Sequence, residues 1–165
     1  MAEAFSPHDL PATKAERYEV LRLEILAVLE GEANLVARMA TVAAMVAAAF
    51  DTCLWTGFYL VDPETPSELV VGPYQGTLGC LRIRLGQGVC GLAASTLRTV
   101  VVADVDTFPG HIACDARSRS EIVVPVFDAN GELIGVLDID SAEPAAFDAL
   151  DQTGLEAIIQ QVFAH

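Results

Sequence analysis

The chain has 165 residues, of which 53% are hydrophobic and 19% charged, and it carries a net charge of −14. A chain of this length fills one hydrophobic core, and no change in composition divides it. We therefore predict a single domain over residues 14–165, preceded by an N-terminal arm over residues 1–13. An acidic surface repels phosphate backbones and anionic headgroups, so we expect neither nucleic acid nor a membrane as a partner.

Membrane insertion and permanent cross-links are not expected either. The longest apolar run, residues 39–50, has 12 residues, well short of the roughly 20 that a spanning helix needs. No basic and apolar signal opens the chain, so we expect a cytoplasmic protein. In that reducing compartment the four cysteines should not form permanent disulfides. They contain no Cys-x-x-Cys pair, so we predict no metal site.

The first part of the chain reads as two helices. The first has apolar residues at three- and four-residue steps and ends at Gly31. Its stripe consists of Tyr18, Leu21, Ile25 and Leu29. The second helix starts near Asn34 and is rich in alanine, so its small side chains allow close packing.

Strand patterns dominate from residue 53 onward. The predicted strands are 53–61, 69–74, 81–85, 99–102, 121–127 and 133–140. A short helix lies between residues 86 and 97, and Asn130-Gly131 predicts a hairpin between the last two strands. The last helix starts near Phe147 and should bury Leu150, Leu155, Ile158, Ile159 and Val162. This order predicts an α+β domain with helices on one face of an antiparallel sheet and a pocket on the other face.

Three carboxylates are candidates for one acidic site. Side chains alternate along a strand, so Asp138 and Asp140 should share a face, roughly 6.6 Å apart. Glu121 begins the predicted partner strand. If the three converge, burial and mutual repulsion raise at least one pKa and leave an acid able to donate a proton near neutrality. The alternative is that the two aspartates are solvated or cap the turn at Ser141.

Cys114 is a candidate nucleophile in a loop. Its neighbours are His111, Asp115, Arg117 and Arg119. Nearby cations favour the reactive thiolate, whereas Asp115 opposes it. The alternatives are an inert, half-buried thiol for Cys114 and a loop-bracing hydrogen bond for His111.

The remaining cysteines and two aromatic residues cannot be assigned by spacing. Cys80 and Cys90 flank a strand and a glycine-rich turn, and each taken alone is most simply a core residue. Cys53, two residues before Trp55, should share its strand face and act as a small core hydrophobe. Trp55 and Tyr59 also share a face, where they either wall a pocket or fill the core.

Together these residues resemble the free methionine-R-sulfoxide reductases, a stand-alone branch of the GAF fold. The matching stretches are residues 55–60, 72–76, 80, 88–91, 106, 110–115, 120–123 and 135–141. They span most of the chain after residue 50. As a set they are specific, because a GAF domain that only binds a cyclic nucleotide needs neither three cysteines nor an acidic cluster.

The resemblance implies a reaction and a set of roles. The family reduces the free amino acid methionine-(R)-sulfoxide with thioredoxin as external reductant and without a cofactor. Cys114 would attack the sulfoxide sulfur while Glu121, Asp138 or Asp140 protonates the oxygen, giving a sulfenic acid that Cys80 resolves as a disulfide. Cys90 would be a second resolving thiol or the first nucleophile.

The resemblance also assigns substrate contacts and leaves alternatives open. Trp55 and Tyr59 would hold the S-methyl group, and the carboxylates would hold the ammonium. The extra Cys53, the pair Arg117 and Arg119, and the longer N-terminal arm depart from the family pattern. The other hypotheses are a GAF module that binds a small ligand without turnover and a thiol-based redox sensor with a protein partner. A homodimer is also left open.

Overall fold

The computed structural model describes residues 5–164, which form a six-stranded sheet and four α-helices. The helices are α1 (Lys14–Val28), α2 (Leu35–Ala49), α3 (Gly88–Thr96) and α4 (Ala149–Phe163). The strands are β1 (Cys53–Val61), β2 (Glu68–Gly76), β3 (Arg82–Arg84), β4 (Val100–Val102), β5 (Ser120–Phe127) and β6 (Leu133–Ser141). Neighbouring strands are antiparallel in the order β3-β2-β1-β6-β5-β4. The predicted α+β class is confirmed.

Three helices cover one face of the sheet. The apolar stripe of α1 is buried against α2 and α4, as its spacing predicts. Asn34 caps α2, because its side chain accepts a hydrogen bond from the backbone N–H of Ala37 at 3.0 Å. On the sheet, the side chains of Phe58, Leu137 and Ile139 complete this core and are almost fully buried.

The start of α4 differs from the prediction. Leu150 was expected in the core, but its side chain is 49% exposed, and the prediction is wrong. Asp148 and Asp151 form a capping box at this end of the helix. Asp151 takes the buried position, where it accepts a hydrogen bond from the Tyr18 hydroxyl at 2.9 Å and pairs with Lys14. Leu150, which precedes Asp151, therefore points to solvent.

The opposite face of the sheet carries a second, smaller core. Here α3 packs on the sheet, so the helices are not confined to one face as the sequence suggested. Trp55, Tyr59, Val123 and Val136 belong to this core, together with Cys90 of α3. The space beside α3 is closed by loops before β3 and before β5 and forms a pocket on this face.

A bulge at the start of β1 separates two residues that were expected to share a face. Cys53 pairs with Ser141 and Trp55 pairs with Asp140, so two steps on β1 match one on β6. Cys53 consequently packs with the helix-side core, whereas Trp55 belongs to the other core. The shared face was a wrong prediction, although Cys53 does pack as a core hydrophobe.

The predicted arm lies partly outside the described residues, which begin at Phe5. From there, Phe5 and Leu10 pack partly buried against the helix-side core, and α1 begins at Lys14. The division into an arm and a domain at residue 14 stays a prediction. Within the described residues, every helix is too short or too polar to cross a membrane.

Candidate active site

The pocket on the second face is built where β1, β5 and β6 meet α3 and two loops. The sheet supplies Trp55, Tyr59, Glu121, Asp138 and Asp140, and α3 supplies Cys90. The loops add Leu78, Gly79, His111, Ile112, Cys114, Asp115 and Ser118. Of the eight residues that the sequence nominated for a site, seven therefore line one pocket. Cys80 does not line it but is bonded to Cys114 at its mouth.

The three nominated carboxylates converge because of strand register. Glu121 pairs directly with Asp140 across β5 and β6, and Asp138 lies two residues further along β6 on the same face. Glu121 and Asp138 are only 5% and 6% exposed. Ser118 donates a hydrogen bond to Asp140 Oδ1 at 2.7 Å, and His111 Nε2 lies 3.3 Å from Glu121 Oε2. The cluster is thus buried and not a solvated edge.

Burial and mutual repulsion keep protons on this cluster. Burial is the main cause that raises the pKa of Glu121 to about 8, and the charge of Asp140 is the second cause. Loss of solvent is also the main cause that raises the pKa of Asp138 well above its usual range, and it raises that of Asp140. At neutral pH the pocket therefore contains at least one carboxylic acid able to donate a proton.

Cys90 lies beside the acids on the first turn of α3. Its thiol is 2% exposed, and its Sγ lies 4.0 Å from Glu121 Oε1. Burial, with the nearby charges of Asp138 and Glu121, raises the pKa of Cys90 well above the ordinary value for a thiol. Cys90 is consequently held as the neutral thiol in this state.

A disulfide joins Cys80 to Cys114 across the mouth of the pocket. The two residues are 34 positions apart in the chain, and their Cα atoms lie 5.3 Å apart. Cys114 is exposed and Cys80 is half-buried. The pair is the one that the resemblance implies, and it leaves Cys53 and Cys90 as free thiols among the described residues.

Asp115 connects the two loops that carry the disulfide. Its carboxylate accepts hydrogen bonds from the Thr77 hydroxyl at 2.7 Å and from the Arg117 side chain. These contacts hold the pKa of Asp115 well below its usual range. The charge of Arg117 is therefore engaged by Asp115, and Arg119 donates to the backbone carbonyls of Ala116 and Ser118. Neither arginine is among the residues that line the pocket.

An aromatic wall on β1 lines the pocket beside the acids of β6. The rings of Trp55 and Tyr59 stack with centroids 5.6 Å apart, and Trp55 also stacks on Tyr74 at 5.1 Å. The indole N–H of Trp55 donates to the carbonyl of Thr77 at 3.0 Å, which anchors the loop before Cys80. A Cβ at Gly79 would lie 3.1 Å from both Trp55 and Tyr59, so this loop approaches the wall as closely as it does because residue 79 is glycine.

Two polar residues of the site were not assigned to it from the sequence. His111 was interpreted as a loop brace, but its imidazole faces Glu121, and Ser118 was not considered, although it binds Asp140. Both lie in an irregular loop, where spacing predicts no partner. Cys53 lies on the other side of the sheet, and burial raises its pKa to about 11.

Comparison with known proteins identifies the family. The GAF domain model matches residues 34–163. GAF domain-containing protein A of Dictyostelium discoideum is 47% identical over 148 residues, covering 90% of this chain and 91% of that protein. Free methionine-R-sulfoxide reductase of Escherichia coli (strain K12) is 41% identical over 149 residues, covering 90% of this chain and 88% of that enzyme. The chain belongs to the free methionine-R-sulfoxide reductases.

A solved structure of this reductase family agrees with the fold. The free methionine-R-sulfoxide reductase from Neisseria meningitidis, solved in complex with its substrate, superposes with a TM-score of 0.90 at 45% identity. The match covers 98% of this chain and 93% of that one. The predicted family and its GAF fold are therefore confirmed, whereas the roles of individual residues stay predictions.

Proposed function

We propose that this reductase converts free L-methionine-(R)-sulfoxide to L-methionine, with Cys114 as nucleophile and Cys80 as resolving thiol. The observation that carries the proposal is the disulfide between these residues at the mouth of a pocket lined by buried acids. Neither feature alone is sufficient, since a disulfide can be structural and buried acids can bind a cation. Their combination matches what sulfoxide reduction requires.

The first step needs a thiolate and an acid in the same pocket. The Cys114 thiolate attacks the sulfoxide sulfur while an acid protonates the oxygen. The hydroxyl then passes to the Cys114 sulfur, so the S–O bond of the substrate breaks and an S–OH bond forms on Cys114. Glu121, with its pKa raised to about 8, retains a proton at neutral pH and is our choice of donor. The sulfoxide gains two electrons and departs as methionine, while Cys114 loses two and becomes a sulfenic acid.

The second step restores the enzyme. The Cys80 thiol displaces the hydroxyl of the Cys114 sulfenic acid, which forms the disulfide and releases water. A dithiol reductant such as thioredoxin then reduces the disulfide by thiol exchange and becomes oxidised itself. Because Cys114 is exposed at the pocket mouth, an external protein thiol can reach it. The proposed cycle requires an external dithiol and no bound cofactor.

Cys90 is a less suitable nucleophile than Cys114. It is buried among acids that oppose the thiolate, and it is reduced in the same state in which Cys80 and Cys114 are oxidised. We assign Cys90 to the pocket lining beside Glu121, the proposed proton donor. The sulfoxide takes two electrons, and formation of the Cys80–Cys114 disulfide supplies both, so the cycle requires none from Cys90.

The pocket also accounts for recognition of the free amino acid. Asp138 and Asp140 place carboxylates where a substrate ammonium can replace a buried proton as their partner. Trp55 and Tyr59 offer apolar faces to the S-methyl group. Blocking the amine removes the positive charge, so a peptide-bound or N-acetylated sulfoxide should be a poor substrate.

The proposal is tested by NADPH consumption coupled through thioredoxin and thioredoxin reductase. We expect turnover with free L-methionine-(R)-sulfoxide and almost none with the (S) epimer or with the N-acetylated (R) compound. Dithiothreitol in place of thioredoxin distinguishes a failure of the protein reductant from a failure of the reaction. Equal turnover of the free and acetylated compounds would contradict the role of the carboxylates.

A further inference from the structure

Three side chains that could bind a metal ion converge inside the pocket. Cys90 on α3, Glu121 on β5 and Asp138 on β6 each place one ligand atom within 4.8 Å of the other two. All three side chains are buried, with exposed fractions of 2%, 5% and 6%. They are far apart in the sequence, which is why no short ligand spacing predicted such a site.

Within residues 5–164, one of the two oxygens of the Asp138 carboxylate lacks a hydrogen-bond partner. Among the described residues, no hydrogen bond reaches its Oδ1, although the atom is shielded from solvent. A buried polar atom left in this condition costs about 1–3 kcal/mol, so it calls for an explanation in a folded protein. The pocket also includes the exposed residues Ile112 and Cys114, which provide a route from solvent to the cluster.

We propose that Cys90, Glu121 and Asp138 form a binding site for one divalent cation of the zinc type. Zn²⁺ binds thiolate and carboxylate ligands together, whereas Mg²⁺ and Ca²⁺ select oxygen ligands. Its bonds of about 2.3 Å to sulfur and 2.0–2.2 Å to oxygen place tetrahedral ligand atoms roughly 3.3–3.6 Å apart. Ligand atoms that lie as far as 4.8 Å apart therefore have to approach one another by roughly 1.2–1.5 Å when the ion binds.

His111 lies beside one of the three ligands, although outside the group whose ligand atoms are all within 4.8 Å of one another. Its Nε2 lies 3.3 Å from Glu121 Oε2, and imidazole is a common zinc ligand. Asp140 is less available, because its Oδ1 already accepts a hydrogen bond from Ser118. Two carboxylates and one thiolate carry three negative charges, and the cation offsets two of them in a site where charge is otherwise poorly solvated.

The bound cation would compete with the sulfoxide. Glu121 and Asp138 are the groups assigned to proton donation and ammonium binding, so a cation on them blocks both roles. This consequence rests on the proposed function. The metal binding itself does not, because it follows from the position and burial of the three ligands.

Cobalt(II) binding to the Cys80–Cys114 disulfide form tests the site. In this form Cys53 and Cys90 are the remaining thiols of the four cysteines, so a thiolate-to-cobalt charge-transfer band has only two sources. We expect one Co²⁺ per chain with such a band, and its displacement by Zn²⁺. Cys90→Ser should abolish the band, whereas Cys53→Ser, on the helix side of the sheet, should retain it.

Asp138→Asn keeps both thiols and provides a second variant in case Cys90→Ser does not fold. It should weaken Co²⁺ binding by at least 10-fold. Excess Zn²⁺ should raise the Tm of the wild type and of Cys53→Ser but not that of Cys90→Ser. No band in the wild type, a band that survives in Cys90→Ser, or unchanged affinity in Asp138→Asn would overturn the site. If the metal-free wild type does not reduce the sulfoxide but binds Co²⁺ as expected, only the proposed reaction is refuted.

Discussion

The two faces of the central sheet are built from alternating residues of the same strands and have opposite chemistry. On β6, Leu137 and Ile139 face the helices and are almost fully buried among apolar side chains. Their neighbours Asp138 and Asp140 face the pocket, where burial raises both pKa values. One face stabilises the fold, and the other keeps acids buried at a cost in stability. Substitutions on the two faces should therefore separate stability from activity.

Substitution of thiols on the two faces should produce the largest difference in activity. Cys114→Ser removes the proposed nucleophile and should abolish even a single turnover, because serine is not oxidised by a sulfoxide. Cys53→Ser changes a residue that packs on the helix side and should leave kcat/KM unchanged. Methionine released per chain, measured by chromatography, checks both. Activity of Cys114→Ser, or loss of activity in a folded Cys53→Ser, would contradict the expected difference between thiols on the two faces.

Adjacent residues on β6 should show the same separation. Asp138→Asn removes the charge partner of the substrate ammonium, a change that costs about 2–5 kcal/mol in a buried charge pair. It should therefore lower kcat/KM by about 10²-fold or more, without lowering the free energy of unfolding at pH 8. Ile139→Ala leaves a cavity in the helix-side core and should cost about 2–5 kcal/mol of that free energy, while the folded fraction stays active. Urea titration and steady-state kinetics measure the two effects. If each variant lost both kcat/KM and free energy of unfolding to a similar extent, the two faces would not be independent.

The pH dependence of stability should originate from the pocket face. The pKa of Glu121 is raised from 4.5 to about 8 in the folded chain. The folded state therefore keeps a proton that the unfolded state loses within this range, and the free energy of unfolding falls as pH rises from 4.5 to 8. Glu121→Gln removes the effect of this group, so its stability relative to the wild type should increase with pH over the same range. Parallel stability curves for the two proteins would contradict the buried acid.

A helix cap provides the smallest effect and the control for the helix side. Asn34→Ala removes the acceptor for the Ala37 N–H and should cost about 1 kcal/mol. The cap lies on the helix layer, so kcat and KM for the sulfoxide should not change. A Tm shift with unaltered kinetics checks this prediction, and a change in KM would indicate that the helix layer acts on the pocket.

The sequence predicted most of the fold because its local signals agree with one another. Alternation along β6 and the Asn130-Gly131 turn placed Asp138 and Asp140 on one face, and the pairing of β5 with β6 placed Glu121 beside them. The acidic part of the site therefore follows from strand periodicity and one hairpin.

Other features depend on contacts that periodicity does not contain. The bulge that turns Cys53 away from Trp55 and the buried Asp151 that displaces Leu150 both require a partner element. His111 and Ser118 lie in an irregular loop, and only the folded chain brings them to the acids. For the same reason, sequence spacing did not predict that Cys90 lies beside the acidic cluster.

The most direct test of the account is a single turnover without reductant. The fully reduced enzyme is mixed with excess free L-methionine-(R)-sulfoxide, released methionine is counted, and the disulfide is located by peptide mapping. The account predicts about one methionine per chain and a disulfide between Cys80 and Cys114. No methionine, or a disulfide that contains Cys90, would contradict it.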